Sequence, residues 1–221
     1  MRRLGFSGEP LFADRRDAGR HLAARLAKTA ADRPIVVGLP RGGVIVAAEV
    51  AAALGAPLDL LVVRKLGVPE QPELALGAIA EGGVRVLNDD VLLAAGIRAA
   101  ELDRITAREQ AALADEVARY RRGRPAREVV GRPVIVVDDG LATGATARVA
   151  LAALRERGAG PVTLAVPVAP RDTVAALAAL ADDLLVLTQP RPFFAVGTAY
   201  IEFGAATDAD VMAALDAGRR A

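Results

Sequence analysis

A short strand that is apolar on every residue has no face to give to water. "IVV" within "PIVVGLP" (34–40) and "VIVV" (134–137) are runs of this kind, the pattern of strands buried on both faces of a sheet. The first is followed by "RGG" and an Ala-rich helical stretch from Val44 to Leu54, closed by Gly55 and Pro57. "LDLLVVRK" (58–65) then reads as the next strand. Strand, helix and strand in that order make a βαβ unit, which requires a parallel sheet. The alternation resumes after residue 134, with a helix over 145–157, a strand over 161–167, a helix over 171–181 and a strand over 183–188. The expected fold is α/β, an open and mainly parallel sheet flanked by helices.

Other segments read as additions to that core. Residues 14–31 carry Ala18, Leu22 and Leu26 at helical spacing, with His21 beside the stripe in a plain surface or packing role. Residues 75–88 hold two β-like runs around Gly82-Gly83, a favoured hairpin turn. "NDDVLLAAG" reads as a capped short helix ending at Gly96. A longer helix follows with Leu102, Ile105, Leu113, Val117 and Tyr120 on one stripe, stopped by Pro125. Its basic end, "RYRRGRPAR", suits a solvated helix terminus facing its own dipole. The tail concentrates Phe193, Phe194, Tyr200 and Phe203, and a last helix starts at about Asp208. The expected layout is one domain over 1–221, with its core at 34–88 and 132–190, a helical insert at 89–131, and a hood of 191–221 with N-terminal residues.

Some functions are excluded early. There is no cysteine and one histidine, so disulfides, thiolate chemistry and Cys- or His-rich metal sites drop out. A net charge of +1 gives no global reason to bind nucleic acid or a membrane surface. The first residues have no apolar signal region, and no uncharged run reaches the roughly 18 residues of a membrane span. A soluble cytoplasmic protein is expected.

The chemistry concentrates in "VIVVDDGLATGAT" (134–146). In open parallel sheets, ligands bind beyond the carboxyl ends of the strands. Asp138 and Asp139 stand at such an end, and burying two unpaired carboxylates is too costly. They must meet water, a metal, or hydroxyls that donate to them. Residues Ala142, Thr143, Gly144, Ala145 and Thr146 then form a small loop opening a helix, whose N–H groups and dipole favour an anion. Carboxylates for hydroxyls beside an anion nest describe a sugar phosphate.

The same run resembles the phosphoribosyl pyrophosphate (PRPP) motif of type I phosphoribosyltransferases, and the architecture is similar to a bacterial subgroup of phosphoribosyltransferase-like proteins. The resemblance covers most of residues 34–205; the insert is no part of the family's minimal core. It implies that Asp138 and Asp139 hold the ribose hydroxyls and that Ala142 to Thr146 hold the 5-phosphate. It also implies that "GLPRGGV" (38–44) is the pyrophosphate loop, with Arg41 and the Gly42 and Gly43 amides facing the leaving group. Lys65, at the end of the second strand, would reach pyrophosphate, and the 75–88 hairpin would be a mobile lid. Magnesium would come bound largely through PRPP, with Asp138, Asp139 and Glu202 as its protein ligands.

The acceptor side of the resemblance is mixed. Ala142 stands where 6-oxopurine enzymes carry an acid–base aspartate. "DDGLATG" looks more like the adenine or uracil enzymes, and Glu81 falls roughly where adenine enzymes place a catalytic glutamate. "FFAVGTAYIEF" (193–203) is similar to the hood strand of hypoxanthine–guanine enzymes, which makes Phe193, Phe194 and Val196 base-binding candidates. These clues point to different bases. Two functions stay open: Mg²⁺-dependent transfer of phosphoribosyl from PRPP to a nitrogenous acceptor such as a nucleobase, and a non-catalytic sensor of PRPP or nucleotides. Analogy with relatives adds a homodimer.

Overall fold

The protein is described from a computed structural model, which covers residues 10–69 and 71–218. The start of the segment read above for a signal region, and the last three residues of the expected hood, lie outside the described residues. Five parallel strands form the main sheet in the order β2-β1-β6-β7-β8. They are β1 (Ile35–Gly38), β2 (Leu58–Leu60), β6 (Val134–Val137), β7 (Val162–Val168) and β8 (Asp183–Thr188). The two wholly apolar runs are adjacent at the centre, and each is buried throughout. Their side chains alternate between faces, as a strand requires. Val36 and Ile135 join a cluster with Leu22, Leu26, Val46, Val50, Val211 and Leu215, from α1 (Arg15–Leu26), α2 (Gly42–Leu54) and α7 (Asp208–Ala217). Ile35, Val37 and Val136 join Leu151, Leu154 and Leu177, from α5 (Ala145–Glu156) and α6 (Arg171–Leu177).

The stretch 58–65 is not one strand. β2 stops at Leu60, and β3 (Val63–Val68) begins a second, antiparallel sheet with β4 (Gln71–Ala80) and β5 (Arg85–Leu87). Leu61 and Val62 between them are fully buried, so the unbroken apolar run carries no periodicity to mark the switch of sheets. The β4–β5 turn sits at Gly82-Gly83, both at positive φ, as expected. Leu66 pairs with Gly77 and Gly67 with Ala75, so Leu76 is an extra residue bulged out of β4.

This small sheet is packed on both faces. Leu66, Leu76 and Ile79 bury with Ile105, Leu113 and Tyr120 of α4 (Ala99–Arg121). Ala78 and Ala80 bury with Val149 and Leu151 of α5. Uncovering Leu66, Leu76 and Ile79 alone would cost on the order of 5–9 kcal/mol, comparable with the stability of a whole domain. The inner part of the 75–88 hairpin, expected as a mobile lid, is packed between α4 and α5 in this structure. The insert supplies α3 (Asp89–Ala94), capped by Asn88, and α4. α4 ends at Arg121, where Arg122 takes a left-handed conformation ahead of Pro125. Its basic end is not wholly solvated, because Arg121 is buried.

The tail over 191–203 is not a strand. It is a loop with one 3₁₀ turn, Val196–Ala199, pinned to the N-terminal segment by a bridge between Phe12 and Tyr200. Among the described residues, no helix is long and apolar enough to cross a membrane.

Candidate functional site

β1 and β6 end level with each other, Gly38 opposite Val137. Beyond that edge the chain leaves β1 through Leu39 to Gly43 and leaves β6 through Asp138 and Asp139. The two loops touch because one of them is glycine. A Cβ on Gly42 would lie 1.9 Å from Asp139 Oδ2, and one on Gly43 would lie 2.7 Å from the Val137 carbonyl and 2.8 Å from Asp138 Cα. Each loop opens a helix, α2 and α5, and neither N-cap residue, Arg41 or Gly144, bonds the first turn through its side chain; at α5, among the described residues, only Thr143 Oγ1 does so, accepting the Ala145 amide at 3.4 Å. Two helix N-termini, with first-turn amides and positive dipole ends, therefore border the acid pair.

The loop before α5 is held from below. Thr173 donates its hydroxyl to the Ala142 carbonyl at 2.6 Å, and Leu141 donates its amide to Val168. Gly144, at φ +74°, lies against Thr173 and Leu177, where a Cβ would come within 2.9 Å of both. Ala142 and Thr143 face solvent, while Ala145 and Thr146 are half-buried in the first turn of the helix.

The acid pair is anchored internally. Asp138 Oδ1 accepts the Asp139 amide at 2.8 Å. Asp139 Oδ2 accepts Arg15 Nε at 2.7 Å. Burial, and then the Asp139 charge, push the Asp138 carboxyl well above the usual carboxylate range. Burial also raises Asp139, opposed by the hydrogen bond and charge of Arg15. Arg15 Nη1 donates to the Gly204 carbonyl at 2.8 Å, and its guanidinium lies 4.0 Å from the centre of the Phe203 ring. Phe203 stacks on Tyr200 at 4.8 Å, and the Tyr200 hydroxyl donates to the Asp139 carbonyl. Burial pushes the Tyr200 phenol above its ordinary range.

The profile of the phosphoribosyl transferase domain family matches residues 12–200 of this chain. The chain belongs to that family. Two Mycobacterium tuberculosis proteins, from strains CDC 1551 / Oshkosh and H37Rv, provisionally named phosphoribosyl transferases, are each 52% identical to it over 210 residues. The match takes in 95% of this chain but 47% of theirs, so the chain spans about half the length of these relatives. The crystal structure of TT1426 from Thermus thermophilus superposes with a TM-score of 0.81 at 46% identity, covering 92% of this chain and 97% of that one.

Within this phosphoribosyl transferase domain, the structure gathers Gly42, Gly43, Asp138, Asp139 and the 142–146 loop at one sheet edge. Arg41 opens α2 with its side chain half-exposed and Nη1 4.0 Å from Asp208 Oδ1. Asp208 is itself held by Tyr120 Oη at 2.7 Å and Arg119 Nη1 at 2.6 Å. Val196 packs over the acid-pair loop, since a Cβ on Gly140 would lie 2.5 Å from Val196 Cγ1. Phe193 is partly buried on the Phe12–Tyr200 cluster.

Other candidates are placed elsewhere. Glu81 sits at the root of the β4–β5 turn, its amide on the Val62 carbonyl, and both its carboxylate oxygens are bonded to Arg121. That carboxylate, expected as the acid–base group, is held by a buried cation in this structure. Lys65 lies on β3 opposite Ala78 in the second sheet, not at the end of a parallel strand. Phe194 is 78% exposed. Glu202 is exposed and tied through its amide to Ala13. Among the described residues, no three acidic or histidine side chains form a metal cage. The two adjacent carboxylates are hard oxygen donors that suit Mg²⁺ only where the ion keeps waters and substrate phosphates as its other ligands. Sequence reasoning missed Arg15, because nothing local in "ADRRDAG" separates it from Arg16.

Proposed function

We propose that the protein is a Mg²⁺-dependent phosphoribosyltransferase that moves the phosphoribosyl group from PRPP to a nitrogenous acceptor, a nucleobase, and releases pyrophosphate. The observation that carries this is the contact of the Gly42-Gly43 loop with the Asp138-Asp139 pair, between two helix N-termini. Asp138 and Asp139 accept hydrogen bonds from the ribose hydroxyls. Residues 142–146 hold the 5-phosphate through the amides and hydroxyls at the start of α5. The Gly42 and Gly43 amides and the Arg41 guanidinium face the pyrophosphate. Magnesium, carried on PRPP, supplies charge neutralisation on the leaving oxygens.

Fixing ribose between these loops orients C1 for attack by an acceptor nitrogen as the bond to pyrophosphate breaks. The loop donors stabilise the charge that develops on the leaving group. No protein nucleophile is needed, in keeping with the absence of cysteine. Phe193 and Val196, beside the acid-pair loop, border the acceptor. In this reading the cytoplasm supplies PRPP, and two chains pair as a homodimer.

A second reading is favoured by one observation. Ala142 stands where the 6-oxopurine enzymes carry an acid–base aspartate, and Glu81, the one acid–base candidate named from sequence, is bound to Arg121. A domain that binds PRPP or a nucleotide and signals its presence would need no acid–base residue. A pyrophosphate-release assay with Mg²⁺, PRPP and a panel of nucleobases separates the two, run beside calorimetric titration of PRPP. Base-dependent release establishes the transferase. Tight binding without release from any base establishes the sensor, and no binding overturns both.

A further inference from the structure

Asp14 caps α1, accepting the Asp17 amide, so Arg15 is the first residue of that helix. Long side chains there lean back towards the N-terminus. Arg15 is 12% exposed, whereas its neighbour Arg16 is 54% exposed. Three attachments hold it: the Asp139 carboxylate, the Gly204 carbonyl and the Phe203 ring. The guanidinium is also close to the glycine loop, since a Cβ on Gly42 would lie 2.7 Å from Arg15 Nε.

The acid pair has four carboxylate oxygens. Asp138 Oδ1 is committed to the Asp139 amide and Asp139 Oδ2 to Arg15. Neither of the other two accepts a hydrogen bond from a described residue. Among the described residues, the one fully buried side-chain polar atom without a partner is Thr106 Oγ1, so neither remaining oxygen is wholly sealed from solvent. Each carboxylate thus has one oxygen bonded within the protein and one left without a donor from a described residue. A vicinal diol carries two hydroxyl donors, and the pair presents two acceptors.

We infer that Arg15 is a positioning residue for diol recognition: it fixes one oxygen of Asp139 so that the other stands beside the open oxygen of Asp138. This rests on the ribose phosphate reading of the site and adds to it a residue outside the family's acid-pair and glycine-loop motifs. Arg suits the task because its planar fork can bond a carboxylate and a carbonyl at once while stacking on an aromatic ring. A lysine retains the charge and one contact only. Arg15 acts through Asp139 and touches no reacting atom.

The test compares ribose 5-phosphate with 2-deoxyribose 5-phosphate by calorimetry, in the parent, Arg15→Met, Arg15→Lys, Asp139→Asn and the Arg15→Met/Asp139→Asn double variant. The parent should prefer ribose 5-phosphate by about tenfold or more, the worth of one hydrogen bond to a charged acceptor. Arg15→Met should cut that preference to about threefold or less while binding 2-deoxyribose 5-phosphate nearly as the parent does, and Arg15→Lys should restore part of it. The double variant should discriminate no worse than Asp139→Asn alone, because one residue acts through the other. A merely structural role for Arg15 would weaken both ligands equally, and that result overturns the inference. So does full discrimination in Arg15→Met. If the parent itself does not discriminate, the ribose reading of the acid pair fails and takes this inference with it.

Discussion

Arg121 is the buried cation on which the inner end of the small sheet depends. Its guanidinium bonds both oxygens of Glu81, Asp59 Oδ1 at 3.1 Å and the Leu60 carbonyl at 2.9 Å. Its side chain is 8% exposed, against 13% for Asp59 and 15% for Glu81. Arg121→Met keeps much of the volume and leaves two carboxylates nearly out of water with no cation. Breaking a buried pair by removing one partner costs about 3–5 kcal/mol. At about 2–4 °C per kcal/mol for a chain of this size, the melting temperature should fall by roughly 6–20 °C. The order of the variants is more telling than the size of the loss. Glu81→Gln alone leaves Arg121 with Asp59 and should cost about 1–2 kcal/mol. Added to Arg121→Met, the same change removes an unpaired charge, so the double variant should be more stable than Arg121→Met. Urea unfolding followed by circular dichroism measures all three. Additive losses, or a loss below about 1 kcal/mol in Arg121→Met, would refute the account of Arg121 as the shared counter-ion.

Three further outcomes are expected. Asp139→Asn should weaken PRPP binding by about tenfold or more, since a charged acceptor becomes a neutral amide; calorimetry that finds unchanged affinity would remove Asp139 from the ribose site. Gly42→Ala should weaken PRPP binding by a similar factor of about ten, because its methyl group would claim the position of Asp139 Oδ2, whereas Gly123→Ala, with open space at its Cβ, should leave binding unchanged. The Asp182 carboxyl is held below its usual range by the Val162 amide and by Arg155. Its stabilising contribution is full above the ordinary carboxylate value and is lost as pH falls through the lowered one. The stability gap between the parent and Asp182→Asn should therefore stay constant from pH 7 to about pH 4 and close below it.

The central sheet was readable because its two middle strands are short runs of apolar residues and helices of ordinary length separate most of its strands. The acid pair and both loops were readable because glycines and carboxylates at strand ends have few other uses. What escaped the sequence depends on contacts across long separations. The switch of sheets at Leu61-Val62 is hidden inside an apolar run, where burial on every side erases periodicity. Glu81 looked available because its partner lies 40 residues away on a basic stretch that read as solvated. Arg15 is 124 residues from Asp139. Lys65 looked like a strand-end residue only while 58–65 was taken as one strand.

The chain has two tyrosines and no tryptophan, and each phenol hydroxyl is tied to a different side of the site. Tyr120 donates to Asp208, the carboxylate facing Arg41. Tyr200 donates to the backbone of Asp139. The ultraviolet absorption and emission of this chain above 275 nm therefore come from two reporters already in place, one beside the loop that carries Arg41 and one beneath the acid pair. Tyr120→Phe and Tyr200→Phe would separate them, so that filling of the two halves could be timed independently in a stopped-flow experiment without attaching a dye.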